Sequence, residues 1–85
     1  MEKGDIALME YIELVELTDN KATYRYYPEG GQEYGIVSLN RKTGERIHDK
    51  ICPNSISMYA GHAWRRLEEY QATGEFPKRA QIAWY

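Results

Sequence analysis

Few side chains in this sequence can do chemistry near neutral pH. They are two histidines, His48 and His62, and a single cysteine, Cys52. An imidazole titrates near neutrality and can serve as a general acid or base. His48 adjoins Asp49, but neighbours along a strand point to opposite faces, so that carboxylate is not placed to orient the ring. His62 falls one turn from Met58, Arg66 and Glu69, on the polar side of a predicted helix. This placement puts the two imidazoles on opposite sides of the molecule, where no paired-histidine phosphodiesterase can form. Both read as surface or boundary histidines. His48 and Cys52 would project from one strand face, but no second cysteine and no histidine-rich spacing completes a tetrahedral metal set. Cys52 reads instead as a small buried residue at a strand end. Glu29-Gly30-Gly31 is followed by neither Lys-Ser/Thr nor a helix start, so it is not a phosphate loop. No nucleophile elbow is present. No catalytic residue, metal or cofactor is expected, and an enzyme built on His48 or His62 ranks last among the readings.

A binding surface is the better prospect. Strand alternation is expected to gather Arg25, Tyr27, Arg46, His48 and Lys50 on the sheet face away from the helix, with Ser38 and Ile36 nearby. Cations interleaved with an aromatic suit a single-stranded nucleic acid, through phosphate contacts and stacked bases. The plainer reading is an ordinary solvated face. A protein partner accounts for more features together. Apolar residues of the first strand are left over on the face opposite the core, and eight Tyr and two Trp stand against one Phe. Self-association is the simplest version. The competing arrangement has one of the chain's own terminal segments covering that surface. The expected function is therefore a non-enzymatic interaction module, possibly homodimeric, with single-stranded nucleic-acid binding as the alternative.

One helix must position much of this. Ile56, Ala60, Ala63, Leu67 and Tyr70 recur at steps of four and three across Ser55 to Thr73, which makes one apolar stripe, with Tyr59 and Trp64 at its edges. Arg65, Arg66, Glu68 and Glu69 fall on the wet side. Asn54 or Ser55 is the expected N-cap, and Gly74 the left-handed stop. Gly61 interrupts the helix off the main stripe, at a cost of about 1 kcal/mol relative to alanine. Its presence suggests a close approach by the C-terminal tail or a partner.

The rest reads as strand and turn. Ile6 to Leu17 is apolar with Glu10, Glu13 and Glu16 interspersed; its second half is a strand, with a helical turn at Asp5 to Met9 as the competing reading of the first half. Thr18 to Lys21 turns the chain, and Ala22 to Tyr27 is the second strand, ended by Pro28 to Gly31. An even loop pairs Val15 with the Tyr24 side and Leu17 with Ala22, whereas an odd loop sets Leu14 against Tyr26 and brings Ile12 to that side. Tyr34 to Leu39 is the third strand. A three-residue loop, Lys42-Thr43-Gly44, pairs Leu39 with Ile47, which puts Val37, Leu39, Ile47 and Ile51 under the helix. Phe76-Pro77 is an anchored loop and Ala80 to Tyr85 a last strand. The fold class is α+β: a four-stranded antiparallel meander, an amphipathic helix on one face, and a short C-terminal strand at an edge.

Several segments resemble a group of small uncharacterised bacterial proteins: Tyr26 to Gly30, Gly35 to Ser38, Asn40 to Glu45, Tyr59 to Ala63, Gly74 to Pro77 and Ala83 to Tyr85. The resemblance implies a bacterial origin and a small α+β fold. It carries over no activity and no functional residues. Eighty-five residues make one domain of modest core. A net charge of −2 gives no global field for nucleic acid, although a local patch is compatible with it. The single cysteine excludes an internal disulfide and fits a reducing compartment. Met1 to Asp5 lacks the basic region and apolar run of a signal peptide, and no apolar run nears the roughly 20 residues that cross a bilayer. A cytoplasmic location is expected.

Overall fold

The computed structural model describes residues 8–84. Strands β1 (Leu8–Leu17), β2 (Lys21–Pro28), β3 (Gly35–Asn40) and β4 (Arg46–Lys50) are followed by helix α1 (Ser57–Thr73) and strand β5 (Arg79–Trp84). All strand pairs are antiparallel and lie in the order β4-β3-β2-β1-β5. The expected meander is present. The chain then passes through α1 and returns to the edge beyond β1. Of the alternative helical turn at Asp5 to Met9, Leu8 and Met9 are strand, and residues 5–7 lie outside the described residues. The final residue of the expected last strand, Tyr85, also lies outside them.

The first hairpin resolves its parity with a bulge. Thr18 N–H donates to Lys21 O at 2.9 Å, and the Thr18 hydroxyl accepts from the amides of Asn20 and Lys21. This even turn pairs Leu17 with Ala22. Val15 is then an extra residue, so that Leu14 faces Tyr24 and Ile12 faces Tyr26. An inserted residue shifts alternation by one, which brings Leu17, Leu14 and Ile12 all to the helix side. The surplus expected on the other face shrinks to Met9, Tyr11 and Val15.

The second hairpin overturns an expectation. Leu39 pairs with Arg46 and Val37 with His48, one step away from the three-residue register. The turn has four residues, Arg41 to Gly44. Asn40 N–H donates to Glu45 O, and Gly44 N–H to Asn40 O. The Asn40 side-chain oxygen accepts from the amides of Lys42 and Thr43 at 2.9 and 3.0 Å, and this local bonding holds the longer loop. Gly44 does take the left-handed conformation, with φ 81°. A one-residue slip exchanges the faces of a strand. Arg46 and His48 therefore lie beneath the helix, and Ile47 does not. Ile51 lies beyond β4 and is 72% exposed.

Helix α1 packs on β2 and β3. Tyr59, Ala60, Ala63 and Leu67 meet Ile12, Tyr24, Tyr26, Val37, Leu39 and Ile82 in one core. The small alanines let the helix backbone sit low over the two buried tyrosines. Its start differs from expectation: the N-cap is Ile56, with no side-chain cap bond, and Ile56 is exposed. Gly74 ends the helix at φ 82°, with its N–H on Tyr70 O. A Cβ at Gly61 would meet nothing within 4 Å, so among the described residues neither β5 nor any other segment approaches that backbone. The Phe76-Pro77 loop is anchored, since the Tyr24 hydroxyl donates to Pro77 O at 2.6 Å and the Arg41 guanidinium lies over the Phe76 ring.

Candidate functional site

The sheet face opposite α1 carries two rows of side chains that cross the strands. The first row follows from the pairing of Tyr11 with Gln81 on one side and with Tyr27 on the other. Tyr34, just ahead of β3, extends it, with its ring centroid 5.5 Å from that of Tyr27. Three tyrosines thus come from three adjacent chain segments. The second row lies one pleat away: Arg79, Glu13, Arg25, Ile36 and Lys50 are successive partners from β5 to β4. Neighbouring strands lie about 4.8 Å apart, so both rows are closely spaced. A groove of about 640 Å³ runs along the β5 side of this face, lined by Tyr11, Tyr27, Gly30, Gly31, Arg79 and Gln81.

The charges on this face divide into engaged and unengaged groups. Glu13 accepts from the Tyr27 hydroxyl at 3.2 Å and lies 3.8 Å from Arg79. The β4 bulge turns Asp49 onto the hydroxyl of Ser38, which is bonded in turn to Thr23, and sets Asp49 3.8 Å from Lys21. Arg25 and Lys50 differ. Both cations sit over the Tyr34 ring, 4.7 and 3.9 Å from its centroid. Among the described residues neither has a carboxylate within 4 Å, and Nε of Arg25 is buried without an acceptor.

Of the five residues expected together, the structure brings Arg25, Tyr27 and Lys50 onto this face. Arg46 and His48 are elsewhere because the longer turn moved them. Arg46 makes a two-pronged contact with Glu68 of α1, at 2.8 and 2.9 Å, beside the Trp64 ring. That bond holds the Glu68 carboxyl below its ordinary range. His48 Nε2 shares a hydrogen bond of 2.8 Å with the Tyr26 hydroxyl, and its ring meets the edge of Trp64. The Tyr26 hydroxyl also accepts from Cys52 N–H at 3.2 Å. His62, expected on the wet side, stacks on Trp84 with centroids 3.9 Å apart. Each histidine is thus engaged in packing, and the two belong to separate aromatic groups. Cys52 is buried, as expected, and its thiol is raised above the usual range, chiefly by burial. No cluster of three metal-binding side chains occurs among the described residues.

One chemically unusual group lies beneath the helix. Glu10 is fully buried, and neither carboxylate oxygen has a hydrogen-bond partner. Burial pushes its carboxyl up to about 8; Arg66 acts against that shift and Glu29 adds to it. Glu29 itself accepts from the Tyr59 hydroxyl at 2.6 Å and from Met9 N–H. That bond, together with burial, pushes the Tyr59 hydroxyl up to about 12.

Sequence reasoning missed Tyr11, Tyr34 and Arg79 as members of the face. Tyr34 was reachable, since it has the parity of Ile36. Tyr11 depended on the bulge at Val15, and Arg79 stood ahead of the expected last strand. Burial of Glu10 had no signal, because a glutamate on a strand reads as solvated. No described helix is long and apolar enough to cross a membrane. Compared with known proteins, the chain matches no family model, no curated protein and no solved structure.

Proposed function

We propose that this chain is a non-enzymatic binding module whose working surface is the helix-free face of its sheet. The observation that carries the reading is the tyrosine row, Tyr11, Tyr27 and Tyr34, beside cations that have no carboxylate of their own. Aromatic and Arg side chains are what binding surfaces accumulate, because they combine large contact area with a polar tip. Tyr11 is 46% exposed at the groove, so its ring offers contact area without unfolding anything. The histidines support a non-catalytic reading in a limited way: His48 and His62 are spent on packing contacts.

A second copy of the chain is the simplest protein occupant of this face. Analytical sedimentation across a wide concentration range tests it. The expected result for that occupant is a concentration-dependent dimer that Tyr11→Arg dissociates. A dimer untouched by Tyr11→Arg places the contact elsewhere and counts against the sheet face. Single-stranded nucleic acid is the second reading, favoured by the position of the unpaired cations.

A further inference from the structure

We infer that the occupant of the helix-free face is a single-stranded nucleic acid, with bases stacking along Tyr11, Tyr27 and Tyr34 and phosphates meeting Arg25, Lys50 and Arg79; the inference rests on the sheet face being the working surface.

Three features distinguish this occupant from a protein. A stable protein interface has an apolar centre depleted in charge. Here the middle of the face is Glu13 and Arg25, and the β1 bulge has withdrawn Leu14 and Leu17 to the helix side. What remains is aromatic and charged rather than aliphatic. The aromatics, moreover, form a row and not a cluster. Every base has a π-face, so a line of rings on adjacent strands accepts successive bases without regard to sequence.

The third feature is charge. Within the cation row three positive groups stand against one acid, and that acid, Glu13, is already held by Tyr27 and Arg79. Arg25 and Lys50 rest on the Tyr34 ring, a placement that keeps them beside the aromatic row and away from carboxylates. A backbone phosphate supplies the acceptor that Arg25 Nε lacks. The local field is thus favourable although the whole chain carries −2.

The test is a polarisation titration of a labelled single-stranded oligothymidylate of roughly ten nucleotides, a length within the usual range for such surfaces. The wild-type chain is expected to bind saturably at low salt. With three phosphate contacts, log affinity should fall with log salt at a slope of about −2. Tyr11→Ala is expected to weaken binding about tenfold, and Arg25→Glu with Lys50→Glu to weaken it further. Because Tyr11 is exposed, its truncation leaves the core intact, and thermal unfolding verifies this for each variant. The corresponding duplex, whose bases are already stacked, should bind more weakly. Absence of saturable binding overturns the inference, as does binding that ignores both sets of substitutions or prefers the duplex. Sedimentation of the same samples without oligonucleotide separates the two claims. A dimer dissociated by Tyr11→Arg, with no oligonucleotide binding, sinks this inference and leaves the sheet-face reading standing. A monomer that binds no oligonucleotide counts against both.

Discussion

The ring of Tyr26 fills the space that a side chain at Gly35 would need. The two residues are direct partners across β2 and β3, and a Cβ built on Gly35 would fall within the Tyr26 phenol. Both are buried, so neither can yield toward solvent. Gly35→Ala is expected to cost about 1–3 kcal/mol, the range for overpacking a filled core. Chemical denaturation measures it. An alanine variant as stable as the wild type would mean that the ring moves aside freely.

The same phenol organises the end of β4. Its oxygen accepts from Cys52 N–H and bonds His48 Nε2. Tyr26→Phe keeps the ring and removes both partners, leaving a buried amide without an acceptor. A loss of about 1–3 kcal/mol is expected, together with a change in the His48 ring signals by NMR. A loss confined to stability, with His48 unaffected, would show that the imidazole does not depend on this contact.

Glu10 gives the fold an unusual pH dependence. Its carboxyl is raised from 4.5 to about 8 in the folded chain, first by burial. The folded state therefore favours the proton, and the associated stability is complete below pH 4.5. That stability is lost progressively as pH rises from 4.5 to 8, to the extent of about 3 kcal/mol at pH 7. Glu10→Gln is expected to flatten this fall, gaining on the wild type as pH increases from 5 to 8. Urea midpoints at several pH values check this; curves that run parallel for the two proteins would contradict it.

The register of β4 makes a prediction about two neighbouring cations. Arg46 and Lys50 share a strand, yet Arg46 pairs with Glu68 on the helix side and Lys50 sits on Tyr34 on the other. Arg46→Ala is expected to cost no more than about 1 kcal/mol, because both partners of that ion pair are more than one-third exposed. It should leave oligonucleotide affinity within about twofold of wild type, whereas Lys50→Glu lowers it several-fold. Equal effects of the two on binding would refute the placement.

Much of this architecture was legible in the chain. The step-four, step-three stripe from Ala60 to Leu67 marks the helix, Gly74 its end, and alternation puts Tyr24 and Tyr26 opposite Arg25 and Tyr27. What was not legible turned on single-residue offsets. Asn40 bonding to Lys42 and Thr43 lengthens one turn, and Val15 adds one residue to β1. Each reverses the faces of everything beyond it. The first moved Arg46 and His48 out of the candidate surface, and the second emptied that surface of most of its aliphatic content. Such offsets depend on local hydrogen bonds weaker than the hydrophobic pattern they override, so periodicity alone cannot fix them.

Two-dimensional amide NMR of the chain titrated with the oligothymidylate tests the central claim most directly. The expected result is a set of shifts concentrated on Tyr11, Arg25, Tyr27, Tyr34, Lys50 and Arg79, growing to saturation while the middle of α1 stays unmoved. Shifts confined to α1, or none across the titration, would contradict the assignment of the helix-free face as the surface that binds.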